Sequence, residues 1–193
     1  MANIARVAVL LLSGSVIALP HEQVPTDVNP QATVFRDPFT LKLQVDKGHF
    51  YEERFDKIPY VAGKDVYLFV GEDFGVKMTT INDEISQVTY EREPAKADVA
   101  FKFTQEVSDG RPTMMMLVIQ NRLKRRLFLD ALMTVPNKKG IYKTSIVPIE
   151  KGLSNVESWP HPIVQLVLRN FRFSQQAPNA PKDSTTTQPP PGS

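Results

Sequence analysis

The chain has no cysteine. That excludes disulfides, thiolate metal sites, a cysteine nucleophile and a lipid-bearing N-terminal cysteine, so the core alone must hold the fold. Nine glycines are present, but none forms a phosphate-cradling loop. The three histidines, His21, His49 and His161, show no ligand spacing. Neither a metal nor another cofactor is therefore expected, although Glu52 or Glu53 could complete a set if the fold gathered them. A Gly-x-Ser-x-Gly elbow is missing. Ser145, Ser154 and Ser158 are available, but a serine three residues from His161 across a proline is no triad signal. Many carboxylates exist and nothing selects a pair for glycoside chemistry. The net charge of only +2 gives no field that would favour a nucleic acid partner. Beyond residue 18 no apolar run is long enough to span a bilayer, so no membrane span is expected in the mature protein.

Residues 1–18 carry Arg6, an apolar stretch from Val7 to Leu12 and Val16-Ile17-Ala18. Charge, apolar run and small-residue end, in that order, predict a signal peptide. A buried N-terminal element is the competing reading. The next segment weakens it, since Pro20, Pro25 and Pro30 make residues 19–34 a proline-rich linker. From Ser174 onward the chain has no large apolar residue, and the tail to Ser193 is expected to be disordered because it cannot offset its ordering entropy.

Between these flanks, residues 35–173 read as one β-domain. Phe39, Leu41, Leu43 and Val45 alternate with Thr40, Lys42 and Gln44, the period of a half-buried strand. Asp46-Lys47-Gly48, Ala62-Gly63-Lys64, Gly71-Glu72-Asp73, Asn82-Asp83 and Ser108-Asp109-Gly110-Arg111-Pro112 punctuate further apolar runs. Phe50 to Tyr60 fits neither the strand nor the helix template well. Lys151 to Pro162 reads as an irregular loop before a last strand, Ile163 to Phe173. About eight or nine short strands at this spacing predict an all-β antiparallel sandwich.

Two apolar segments from Thr113 to Val135 flank the basic turn Arg122, Lys124, Arg125, Arg126 and predict a β-hairpin. Because Met114 to Ile119 is apolar throughout, both faces of its first strand are expected to be covered. With the Phe101 strand before it and the Ile141 strand after it, a four-strand meander results. Its alternate turns fall at opposite ends, which separates the basic turn from Lys138-Lys139 and disfavours a joint polyanion site.

The apolar strand ending in Asn121, the basic turn and the returning Leu127-x-Leu129-x-Ala131 resemble strand pairs of immunoglobulin-like sandwiches in exported bacterial proteins. Glu157-Ser158-Trp159-Pro160-His161-Pro162-Ile163, continuing to Phe173, is similar to stretches of uncharacterised exported bacterial proteins. The resemblance spans residues 113 to 173. It implies an immunoglobulin-like fold and a periplasmic or secreted location, and no chemistry.

Trp159 and His161 are the candidate binding residues. Pro160 and Pro162 limit the conformers of their loop, which would present an aromatic at low entropic cost. Alternatively, the single tryptophan plugs one end of the sandwich with its indole N–H bonded to a carbonyl. The plug is preferred, because Ile163 and Val164 restart an apolar strand beside it. These features together read as a non-catalytic accessory or interaction module of the bacterial cell envelope, with another envelope protein as a possible partner. An envelope hydrolase with sparse histidine or carboxylate chemistry is the alternative. Intact mass of the exported protein tests the compartment: cleavage near Ala18 is expected, and a product still beginning at Met1 would refute it.

Overall fold

A computed structural model describes residues 33–174. The stretch read as a signal peptide, His21, nearly all of the stretch read as a linker and the residues beyond Ser174 lie outside the described residues. The alternating stretches form strands β1 (Phe39–Asp46), β2 (His49–Phe55), β3 (Val61–Ala62), β4 (Asp65–Leu68), β5 (Glu72–Ile81), β6 (Glu84–Glu91), β7 (Val99–Ser108), β8 (Arg111–Asn121), β9 (Phe128–Thr134), β10 (Tyr142–Thr144), β11 (Ser154–Trp159) and β12 (Gln165–Arg172). One five-stranded sheet has the order β11-β8-β7-β5-β6, the other β10-β9-β12-β4-β3, and β1-β2 is a separate hairpin. All pairings are antiparallel. The result is a β-sandwich.

Turn chemistry explains the reversals. Asn82 and Asp83 both adopt positive φ at the β5–β6 turn, and Asp109 and Gly110 do so at the β7–β8 turn. Both pairs match the right-handed twist of two-residue hairpins. The core is filled from both sheets: Phe101, Phe103, Leu117 and Ile119 on one side, Val66, Leu68, Leu129, Ala131, Leu166 and Leu168 on the other. Gly75 is essential for a different reason. A Cβ there would stand 2.2 Å from the Ala97 Cβ and 2.7 Å from the Val99 carbonyl, so the segment after the 3-10 turn Pro94–Lys96 could not lie against β5.

Three expectations need correction. First, the Asn121 turn is no hairpin, because β8 belongs to one sheet and β9 to the other. The chain crosses between layers, and Asn121 ties the crossing: its fully buried amide donates to the carbonyls of Arg125 (2.8 Å), Ile149 (3.1 Å) and Glu150 (3.2 Å) and its oxygen accepts from the Leu123 N–H at 3.0 Å. The three arginines of the turn are taken up by the fold, Arg125 by Asp83, Arg126 by Glu150, and Arg122 by the Pro94 and Ala97 carbonyls. Secondly, β8 is covered on one face only. Met115, Leu117 and Ile119 are fully buried, whereas Met116 and Val118 are half-exposed and Met114 is exposed. Thirdly, the stretch read as an irregular loop contains the edge strand β11, paired with β8 from Ser154↔Gln120 to Trp159↔Met115.

The N-terminal boundary differs as well. Val34, assigned to the linker, accepts a hydrogen bond from the Tyr60 N–H at 3.1 Å, and Phe35 bridges Pro59. Arg36 is buried. Its Nε and Nη2 donate to the two Glu72 carboxylate oxygens at 2.5 and 2.8 Å, Nη1 to Pro59 O at 2.7 Å and Nη2 to Tyr67 O at 2.5 Å. Its guanidinium lies 4.0 Å from the Tyr60 ring centroid.

The one-sided burial of β8 sets an expectation for substitutions. Leu117→Asp would bury an unpaired carboxylate and cost about 4 kcal/mol or more, whereas Val118→Asp on the outer face should cost under about 2 kcal/mol. Denaturant midpoints decide this; equal losses would contradict the facing assigned to β8.

Candidate functional site

The hairpin β1–β2 stands over one end of the sandwich. There it forms a concave surface with two other elements, the β9–β10 loop and the β11–β12 loop. Two attachments hold it. At its base, Phe39 and Phe55 stack at 5.4 Å and each ring lies 5.0 Å from buried Phe69. Toward its tip, the Gln105 side chain acts as a surrogate strand: its Nε2 donates to Gln44 O at 2.7 Å and its Oε1 accepts from Gln44 N at 3.0 Å. Between them Leu41 and Leu43 are buried. Tyr51, Glu53 and Phe55 sit opposite Leu43, Leu41 and Phe39 in register and so share their face, but β2 overhangs the sandwich.

Beneath the overhang run three adjoining cavities. The first, about 310 Å³, is lined by Val45, Met133, Val135, Pro136, Asn137, Lys138, Tyr142, His161 and Pro162. A wider one of about 670 Å³ shares Val135, Asn137 and Lys138 with it and extends to Tyr51, Glu53, Phe55 and Ile141. A third, of about 210 Å³, shares Val45, His161 and Pro162 and reaches Arg111 and Met114. The apolar lining comes from strand ends and from prolines that cannot continue a ladder.

The polar groups are few. Lys138 makes no hydrogen bond or ion pair within the described residues. His161 is half-buried, and its Nδ1 lies 3.3 Å from the accepting Pro162 carbonyl. The Tyr51 hydroxyl donates to the Glu53 carboxylate. Burial, then this bond and the carboxylate charge, push the phenol up to about 12, so it remains a neutral donor at physiological pH. Tyr142 donates to Lys139 O at 3.2 Å. Among the described residues no group of three or more histidines, aspartates and glutamates is placed to hold a metal ion. Ser158 lies on the outward face of β11, with Trp159 turned inward. The arrangement offers shape, apolar surface and unpaired positive charge.

The two sequence candidates thus part company. His161 lines the cavities. Trp159 is buried behind it, its indole Nε1 donating to Thr144 Oγ1 at 2.9 Å rather than to a carbonyl. That bond joins the edge strands β10 and β11 and helps close one open side of the sandwich. His49 is exposed at the start of β2 and lines none of these cavities. Val45, Tyr51, Met133 and Tyr142 were not singled out as site residues from the sequence, and Lys138 entered that reading only as half of a disfavoured joint polyanion site. The one available signal was the period-two spacing of Tyr51, Glu53 and Phe55 in a stretch read as patternless.

The buried indole sets the expectation for Trp159. Trp159→Ala should cost roughly 3–5 kcal/mol, and Trp159→Phe, which loses mainly the N–H bond, roughly 1 kcal/mol. Blue-shifted emission with little iodide quenching should accompany this; red-shifted, fully quenched emission would contradict the burial. No protein-family model, curated protein or solved structure matches the chain.

Proposed function

We propose that this protein is a non-catalytic interaction module of the bacterial cell envelope, exported by its first 18 residues, and that it engages its ligand in the cleft under the β1–β2 hairpin. The immunoglobulin-like affiliation of the sandwich and the periplasmic or secreted location belong to the same reading. One observation carries it: the concave end combines apolar walls with Lys138 and His161, and among the described residues the lining of its 310 Å³ cavity has no serine, no second histidine and no carboxylate. Catalysis by acyl transfer needs a nucleophile, a base and an orienting group within hydrogen-bond reach of one another. Binding needs a preformed concave surface with a few polar groups that fix orientation, and the cleft has both.

The test compares immobilised wild-type protein with Val135→Trp, which places an indole where two of the cavities meet, and with Lys102→Ala on the outer face. Capture of a defined component from envelope extract by the wild type and Lys102→Ala, and its loss in Val135→Trp, is the expected result. Equal capture by all three would place binding elsewhere on the molecule.

A further inference from the structure

The charge of the cleft lining narrows the ligand class, an inference that rests on the cleft being the binding site. The 310 Å³ cavity has nine lining residues. Val45, Met133, Val135, Pro136 and Pro162 supply its apolar wall, and Asn137, Lys138, Tyr142 and His161 its polar side. No aspartate or glutamate is among them. Each adjoining cavity has one carboxylate in its lining: Glu53 is engaged by the Tyr51 hydroxyl, and Asp46 accepts from the Lys47 N–H at 2.7 Å. Lys138 therefore has no internal counterion, and the neighbouring Lys139 has none within the described residues either.

A cavity of this size is within the range that holds small molecules, roughly 300 Å³ and upward. Its apolar wall favours a hydrocarbon body, since burial stabilises in proportion to apolar area. The ammonium at its rim favours a negative head group and disfavours a cation, whose approach would meet like charge with no carboxylate in the lining of that cavity to offset it. We propose that this cavity binds a small anionic amphiphile, with its apolar chain between Val45, Met133, Val135 and Pro162 and its carboxylate or phosphate head group at Lys138. His161 and Asn137 stand beside that head-group position as additional hydrogen-bonding side chains.

Isothermal titration of the exported protein with octanoate, octanol and octylamine tests this. Octanoate should bind, octanol about fivefold more weakly, the worth of one partly exposed charge contact, and octylamine more weakly still. Lys138→Gln, in an exposed loop, should bring octanoate down to the level of octanol. Val135→Trp should abolish both, with its melting curve confirming that it is folded. Octylamine or octanol binding as well as octanoate, or octanoate binding unchanged in both variants, overturns the proposal. Flotation with phosphatidylglycerol vesicles separates the sources of the anion. Flotation displaced by octanoate assigns the anion to a lipid, and octanoate binding without flotation assigns it to a free amphiphile. Flotation that octanoate and Lys138→Gln both leave unchanged overturns the proposal in favour of a surface contact. If octanoate fails to bind while Val135→Trp still loses the component captured from extract, the ligand class is wrong and the cleft reading stands. If both fail, both fall.

Discussion

The fork between Arg36 and Glu72 is the constraint on which the arrangement of the molecule depends. Five hydrogen bonds leave the guanidinium, two to the carboxylate and three to the carbonyls of Ile58, Pro59 and Tyr67. Glu72 in turn accepts from the Phe69 N–H at 2.8 Å. One buried ion pair thus fixes the entry of the chain, the segment after the hairpin, and the β4–β5 corner together. A buried pair of this kind gains little over an apolar substitute, but leaving one partner alone costs roughly 3–5 kcal/mol. Its value is in specifying position. Arg36 lies three residues before β1, and Ile58 and Pro59 lie just after β2. The two ends of the hairpin are therefore clamped at the same point, with the Phe39–Phe55–Phe69 cluster packed against it and the Arg36 guanidinium 5.1 Å from the Phe69 ring centroid.

The cleft follows from that clamp. The hairpin is not paired with either sheet, and only its first strand buries side chains fully. Held at its base by Arg36 and near its tip by the Gln105 amide, it overhangs the β9–β10 loop and leaves the space that Lys138 and His161 border. The rest of the sandwich is closed by small devices at its open sides. Tyr60 and Tyr90 stack at 4.2 Å across one, and Lys64 reaches the Ile85 carbonyl at 2.9 Å. Trp159–Thr144 and the Glu157 carboxylate, which accepts from the Val147 N–H at 2.8 Å, secure the other.

Much of the sandwich was legible in the sequence because its determinants are local. Alternation marked β1, β7 and β12, and residues tolerant of positive φ marked the hairpin turns at Asn82 and Asp109. The features that were missed depend on partners far along the chain. A basic turn between apolar strands looks the same whether the strands pair or part, and the crossing after β8 is set by Asn121 bonding to Ile149 and Glu150. Ser154-Asn155-Val156-Glu157-Ser158-Trp159 has one aliphatic residue, and that one faces outward, so nothing local shows β11. Arg36 beside Asp37-Pro38 has the composition of a linker; only Glu72 and three distant carbonyls make it core. Of the candidate site, His161 was legible as a proline-braced polar residue. The cleft around it was not, since its walls come from four separated stretches.

Native-state hydrogen exchange on Arg36→Met tests most directly whether the buried clamp positions the hairpin and, through it, the cleft. In the wild type, the protected amides of β1 and β2 should open together with those of β7 and β8. In the variant, the hairpin amides are expected to exchange through a separate local opening while β7 and β8 keep the slowest rates. Hairpin amides that stay coupled to β7 and β8 in the variant would contradict the clamp and leave the cleft without its structural cause.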